Sequence, residues 1–292
     1  MRSVFFSLAA SLALSSGAIA DVKEKTIEYQ HGGTTFVGLL AWDDAKATEA
    51  NPQPGVLVCP EWWGNNDYAH SRARQLAALG YVAIAIDMYG KDASGSAKTT
   101  TDPKQASDWS SATMKDPAVM RARAQAGMKA LTDQKIVDAK RVAAIGYCMG
   151  GTVATELART GADLKGVVTF HASKVSASDA ADNKKIKAMI LVCHGNEDTF
   201  VPPGELATFA AQMKEAGIDY EIDAYANAVH AFTNKNADSY KVPGVKYNQR
   251  ADHRSWERMK SLFVELFGGV KEAGSDAGKP TENPKAPADI QK

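Results

Sequence analysis

The sequence predicts an α/β fold, a mostly parallel central sheet with helices on both faces. Two observations carry this expectation. Short apolar runs bounded by Pro, Gly or polar residues alternate with segments of helical length, the pattern of strands buried between helices. The chain has 292 residues, 45% of them hydrophobic, enough for one large core and too many for a disordered chain.

Taken in order, Thr26 to Trp42 alternates as strands do, with a hairpin turn expected at His31-Gly32-Gly33. Gly55 to Cys59 is an apolar run between Pro54 and Pro60 and reads as a buried strand. A helix from Tyr68 to Leu79 stops at Gly80, and Tyr81 to Ile86 is the next strand. Residues 91–115 are rich in Ser, Thr, Lys and Asp and predict a long loop or cap segment. A helix from Pro117 to Lys135 leads to strand Arg141 to Gly146. A sharp turn at Tyr147-Cys148-Met149 opens a helix that ends near Thr160-Gly161. Strands Leu164–His171 and Ala188–His194, a helix over Pro203–Gly217, strand Tyr220–Tyr225 and a helix over Arg250–Phe267 complete the order.

Residues 21–270 are expected to form this domain, with a different segment at each end. Arg2 followed by the apolar run Val4–Leu14 and Ala18-Ile19-Ala20 has the form of a signal peptide cleaved before Asp21, which predicts an exported, periplasmic or secreted protein. From Lys271 the chain is polar and rich in Gly and Pro, predicting a disordered tail over 271–292. The charges balance, with 34 Lys+Arg against 34 Asp+Glu, so neither nucleic acid nor a membrane surface is an expected partner. Three cysteines in an exported chain leave at least one thiol unpaired within it. The sequence lacks Walker A, dinucleotide-binding, H-E-x-x-H and paired Cys/His patterns, so neither an organic cofactor nor a metal is expected.

The chemistry concentrates in Gly146-Tyr147-Cys148-Met149-Gly150-Gly151. This is the G-x-S-x-G elbow with Cys in place of Ser, set between a strand and a helix whose positive end favours an anion. A buried Cys in a Gly-rich turn would explain the hexapeptide taken alone. Asp198 follows the strand ending at His194, and His230 follows the strand ending at Tyr225. Nucleophile, acid and His thus occur in the order of α/β-hydrolases, each just after a strand. Cys148, His230 and Asp198 are therefore expected at one site. Glu61, in Pro60-Glu61-Trp62-Trp63-Gly64, follows another strand and is either a solvated carboxylate or a group touching the thiol. The backbones of Trp62 and Met149 occupy the positions that supply oxyanion donors in this fold.

These motifs, together with Asp87-Met88-Tyr89-Gly90, Val201-Pro202 and His230-Ala231-Phe232, resemble the dienelactone hydrolase family over about residues 23–268. The resemblance implies an α/β-hydrolase fold and hydrolysis of an ester or lactone through Cys148, His230 and Asp198, with an acyl-thioester intermediate and no cofactor. It implies that Glu61 holds the resting thiol and helps form thiolate. Trp63, Tyr89, His171 and Phe232 become candidates for the substrate wall. Members acting on dienelactone grip its carboxylate with arginines, and the corresponding positions here hold Asn234 and Lys91. A broad esterase or thioesterase on uncharged substrates and a non-catalytic thiol-bearing binding protein are the competing readings. A monomer or small homo-oligomer is expected.

Overall fold

The computed structural model describes residues 21–268. The expected signal peptide and the whole of the expected polar tail lie outside that range. Among these residues, eight strands form one sheet in the order β1-β2-β4-β3-β5-β6-β7-β8. The strands are β1 (Val22–His31), β2 (Thr34–Asp43), β3 (Gln53–Cys59), β4 (Val82–Ala85), β5 (Val137–Tyr147), β6 (Gly166–Phe170), β7 (Met189–Gly195) and β8 (Tyr220–Tyr225). β1 and β2 form an antiparallel hairpin, and β2 lies antiparallel to β4. From β4 through β8 every neighbouring pair is parallel. The hairpin turns at Gly32 and Gly33, whose positive φ angles of 57° and 76° favour residues without a β-carbon.

Among the described residues, six α-helices accompany the sheet: α1 (Asp67–Ala78), α2 (Pro103–Met114), α3 (Pro117–Thr132), α4 (Met149–Ala158), α5 (Glu205–Ala216) and α6 (Gln249–Phe267). Successive residues of a strand face opposite sides, so each inner strand serves two cores. Leu57, Ala144, Val167 and Val192 join Val153 of α4 and Phe209 of α5 on one side. Val58, Ile145, Val168 and Leu191 join Leu76 of α1 and Phe263 of α6 on the other. The inner strands are therefore apolar throughout rather than alternating, which is why they read as continuous runs.

The segment over 91–115 differs from the expected loop, because half of it is helix α2. Asp102 caps this helix by accepting the Lys104 N–H at 3.0 Å, and Pro103 occupies its first turn. Its buried residues are Ala106, Ser110 and Thr113, too small and polar to produce an apolar stripe. The preceding loop is bridged to the residues after β3, with Thr100 N donating to Trp63 O at 3.1 Å. Among the described residues, no helix is long and apolar enough to cross a membrane.

Candidate active site

Cys148 links β5 to α4 with φ 54° and ψ −120°, a sparsely populated conformation for a residue with a side chain. The turn closes because its neighbours lack side chains. A β-carbon on Gly146 would lie 2.0 Å from Gly150 O, and one on Gly150 would lie 2.1 Å from Cys59 O. Cys148 N donates to Phe170 O at 3.0 Å, tying the elbow to β6. Met149 begins α4, where N–H groups have no partner within the helix.

Asp198 and His230 arrive from loops after β7 and β8. His230 Nδ1 lies 2.8 Å from Asp198 Oδ2, and both side chains are buried. The other Asp198 oxygen accepts the Phe200 N–H at 2.8 Å. The His230 backbone is held on both sides, its N–H donating to Gly244 O and its carbonyl accepting from Lys246 N. Burial pulls the imidazole pKa down. The charge of Cys148 and hydrogen bonds to Asp198 and Cys148 outweigh it and push the value up to about 10.

Glu61, Cys148 and His230 share one cavity of about 120 Å³. Its walls come from Trp62 and Trp63 after β3, Ser110 and Met114 of α2, Met149, Ser173 after β6, Phe200 and Val245. Phe200 lies 4.7 Å from the His230 ring, centroid to centroid, and is 39% exposed. Glu61 is buried, and its Oε2 accepts from Asn234 Nδ2 at 2.7 Å. Burial pushes the Glu61 pKa up to about 7 against the Asn234 hydrogen bond and the charges of His230 and Arg72. Among the described residues, no group of three or more His, Cys, Asp or Glu side chains could hold a metal ion.

Of the six candidates for substrate contact, Trp63 lines the cavity and the others stand elsewhere. Tyr89 lies behind it, donating to Trp62 O at 2.9 Å, with its ring 5.4 Å from that of Trp109 in α2. Lys91 pairs with Glu28 at 2.6 Å on the hairpin. His171 is fully buried, its Nε2 lies 2.7 Å from Thr233 Oγ1, and its ring backs His230 edge-on at 5.3 Å. Burial and the charge of His230 hold His171 well below the ordinary histidine pKa, so it is a neutral support. Phe232 is fully buried and packs on His171 at 5.3 Å. Asn234, also fully buried and absent from the cavity wall, gives Nδ2 to Glu61 and takes the Asn236 N–H on Oδ1 at 2.9 Å, so it supports Glu61 from behind.

No local motif marks Arg72. Its guanidinium donates to Thr233 O at 2.7 Å and to Asp252 Oδ1 at 2.6 Å, pinning the loop that carries His230 and Asn234 between α1 and α6. Ser110, Met114, Ser173, Phe200 and Val245 were equally illegible. They reach the cavity through tertiary packing and belong to no local motif.

Residues 43–267 match the dienelactone hydrolase family. The chain belongs to this family. A relative from Saccharolobus solfataricus named "Putative carboxymethylenebutenolidase" is 30% identical over 82% of this chain and 98% of its own. The crystal structure of a dienelactone hydrolase-like promiscuous phosphotriesterase from metagenomic libraries is 40% identical. It superimposes with a TM-score of 0.79 over 85% of this chain and 99% of that one. A Klebsiella pneumoniae structure titled "Putative Dienelactone Hydrolase", 22% identical with a TM-score of 0.69 over 84% of this chain and 99% of its own, shares the fold. As a dienelactone hydrolase family member, the protein is an ester or lactone hydrolase acting on a small molecule.

Proposed function

We propose that the protein cleaves its ester or lactone by acyl transfer to Cys148, with His230 as acid and base and Asp198 orienting His230. The observation that supports this most is the shared cavity: Cys148 stands on a strained elbow beside His230, whose far nitrogen is bonded to Asp198 at 2.8 Å. The raised pKa of His230 favours imidazolium beside thiolate as the starting pair.

In the first step the sulfur forms a bond to the acyl carbon, and the carbonyl electrons move to oxygen. The backbone N–H groups of Trp62 and Met149 receive that oxyanion. The C–O bond then breaks, and the departing alkoxide takes the proton of His230, remaining tethered where the substrate is a lactone. Neutral His230 next removes a proton from water, the hydroxide adds to the thioester, and the C–S bond breaks to return thiolate. Acid and base work by such a His is worth about 10²- to 10⁴-fold in rate. Glu61, on the wall of the same cavity, takes the role of a carboxyl that exchanges a proton near the sulfur.

The test is mass spectrometry of the intact protein and its peptides after brief mixing with an activated aryl ester. The expected result is an acyl adduct on Cys148 that decays with time and persists longer in His230→Ala. Turnover by Cys148→Ala at the wild-type rate would end the proposal. We further propose that residues 1–20 direct export. N-terminal sequencing of protein recovered from the periplasm or medium should then begin at Asp21.

A further inference from the structure

The cavity wall carries charge very unevenly. Besides Cys148, its ionisable groups are Glu61 and His230, and no Lys or Arg is among the residues lining it. Cations on neighbouring parts of the fold are already engaged. Arg72 is bound to Asp252 and Thr233, Arg123 donates to Met88 O at 2.8 Å, and Lys91 pairs with Glu28. Lys115, Lys174 and Lys246 adjoin lining residues in sequence, but they lie outside the wall, and Lys174 donates to Ser178. A substrate carboxylate drawn into this cavity would lose its water, meet no Lys or Arg among the described residues, find the His230 imidazolium already bonded to Asp198, and approach Glu61. Burying an unpaired charge under those conditions is strongly unfavourable.

Size limits the substrate as well. The cavity measures about 120 Å³, while an apolar cavity of about 150 Å³ is enough to hold benzene. Trp62, Trp63, Met114 and Met149 wall it with apolar surface. Phe200, 39% exposed with its ring tilted against that of His230, is the wall residue that also faces out, so a leaving group would depart across an aromatic surface.

We propose that this site selects small uncharged esters and lactones, with an acyl portion no larger than about one six-membered ring, and discriminates against substrates bearing a free carboxylate. The inference rests on the acyl-transfer reading above and specifies its substrate class.

Two substrate comparisons on the whole protein test it. The first pairs a lactone carrying a free carboxylate with its methyl ester, in 0.3 M salt so that rim lysines are screened. The ester is expected to show kcat/KM at least about 100-fold higher. The second compares aryl acetate, benzoate and naphthoate with one leaving group, each rate divided by that of alkaline hydrolysis. A fall of at least about 100-fold is expected between benzoate and naphthoate. Met114→Lys, which places a cation on the wall, should raise the carboxylate-to-ester ratio at least about tenfold over Met114→Gln, with folding checked by thermal melting. Equal or faster turnover of the carboxylate overturns the charge selection, and an unchanged ratio in Met114→Lys denies it to the wall. Naphthoate handled as fast as benzoate overturns the size limit. The Cys148 adduct is followed in the same mixtures. Adduct without discrimination defeats this inference alone, whereas turnover undiminished in Cys148→Ala defeats the acyl-transfer reading beneath it.

Discussion

A buried carboxyl held by one neutral amide keeps its proton to higher pH than one held by a guanidinium, and Glu61 is such a group. Its folded-state pKa of about 7 lies above the ordinary glutamate value of 4.5. Its contribution to stability is therefore full below about pH 4.5 and is lost as pH rises through about 7. Glu61→Gln removes that titration. Between pH 5 and pH 8 the wild type should lose more stability than the variant, by up to about 3 kcal/mol, as measured by denaturant unfolding at both values. Parallel curves would refute the assignment. In the proposed mechanism Asp198 acts differently, by orienting His230. In Asp198→Asn the amide still accepts the Phe200 N–H but presents an N–H to His230 Nδ1. kcat should fall by about 10²- to 10⁴-fold with little change in melting temperature. A fall of less than tenfold would mean that Asp198 does not set the imidazole.

At the level of elements, the strands were legible and one helix was not, for the same physical reason. A strand between two helical layers is apolar at every position, so β3, β4, β6 and β7 announce themselves as runs. Helix α2 buries Ala106, Ser110 and Thr113, and the pair that marks its start, Asp102-Pro103, was the available signal. Cys148, Asp198 and His230 could be located because each lies in the loop that follows a strand, and strand ends meet at one edge of a parallel sheet. Asn234 and Lys91 were assigned to substrate by resemblance. Their side chains are instead engaged with Glu61 and Glu28, a matter of packing that no local pattern encodes. Because α2 supplies Ser110 and Met114 to the cavity, its local stability should be felt in binding. Asp102→Ala removes the cap, worth about 0.5–2 kcal/mol to the helix. Hydrogen exchange should accelerate over 103–114 and KM should rise several-fold while kcat holds. Faster exchange with unchanged KM would show that α2 does not shape the bound state.

Across the whole molecule, the sheet and its two helical layers keep two of the three thiols out of reach. Cys59 and Cys193 are fully buried, on opposite faces of the sheet, and burial pushes the Cys59 thiol up to about 12 and the Cys193 thiol higher still. Cys148 is partly exposed, and no disulfide links any of the three. A thiol reagent should therefore titrate one group per native chain and three after denaturation. Two or more fast-reacting groups in the native protein would contradict the packing of β3 or β7.

That distribution separates two kinds of failure. Mild peroxide would reach the elbow sulfur and convert it to sulfenic acid, an oxidation that a thiol reductant reverses. The folded scaffold, which depends on neither a cross-link nor an exposed sulfur, would be untouched. With Cys148 as the nucleophile of the proposed mechanism, a preparation that has aged to inactivity should retain its full unfolding transition and be revived by reductant, so its shelf life would be limited by one atom while its architecture persists.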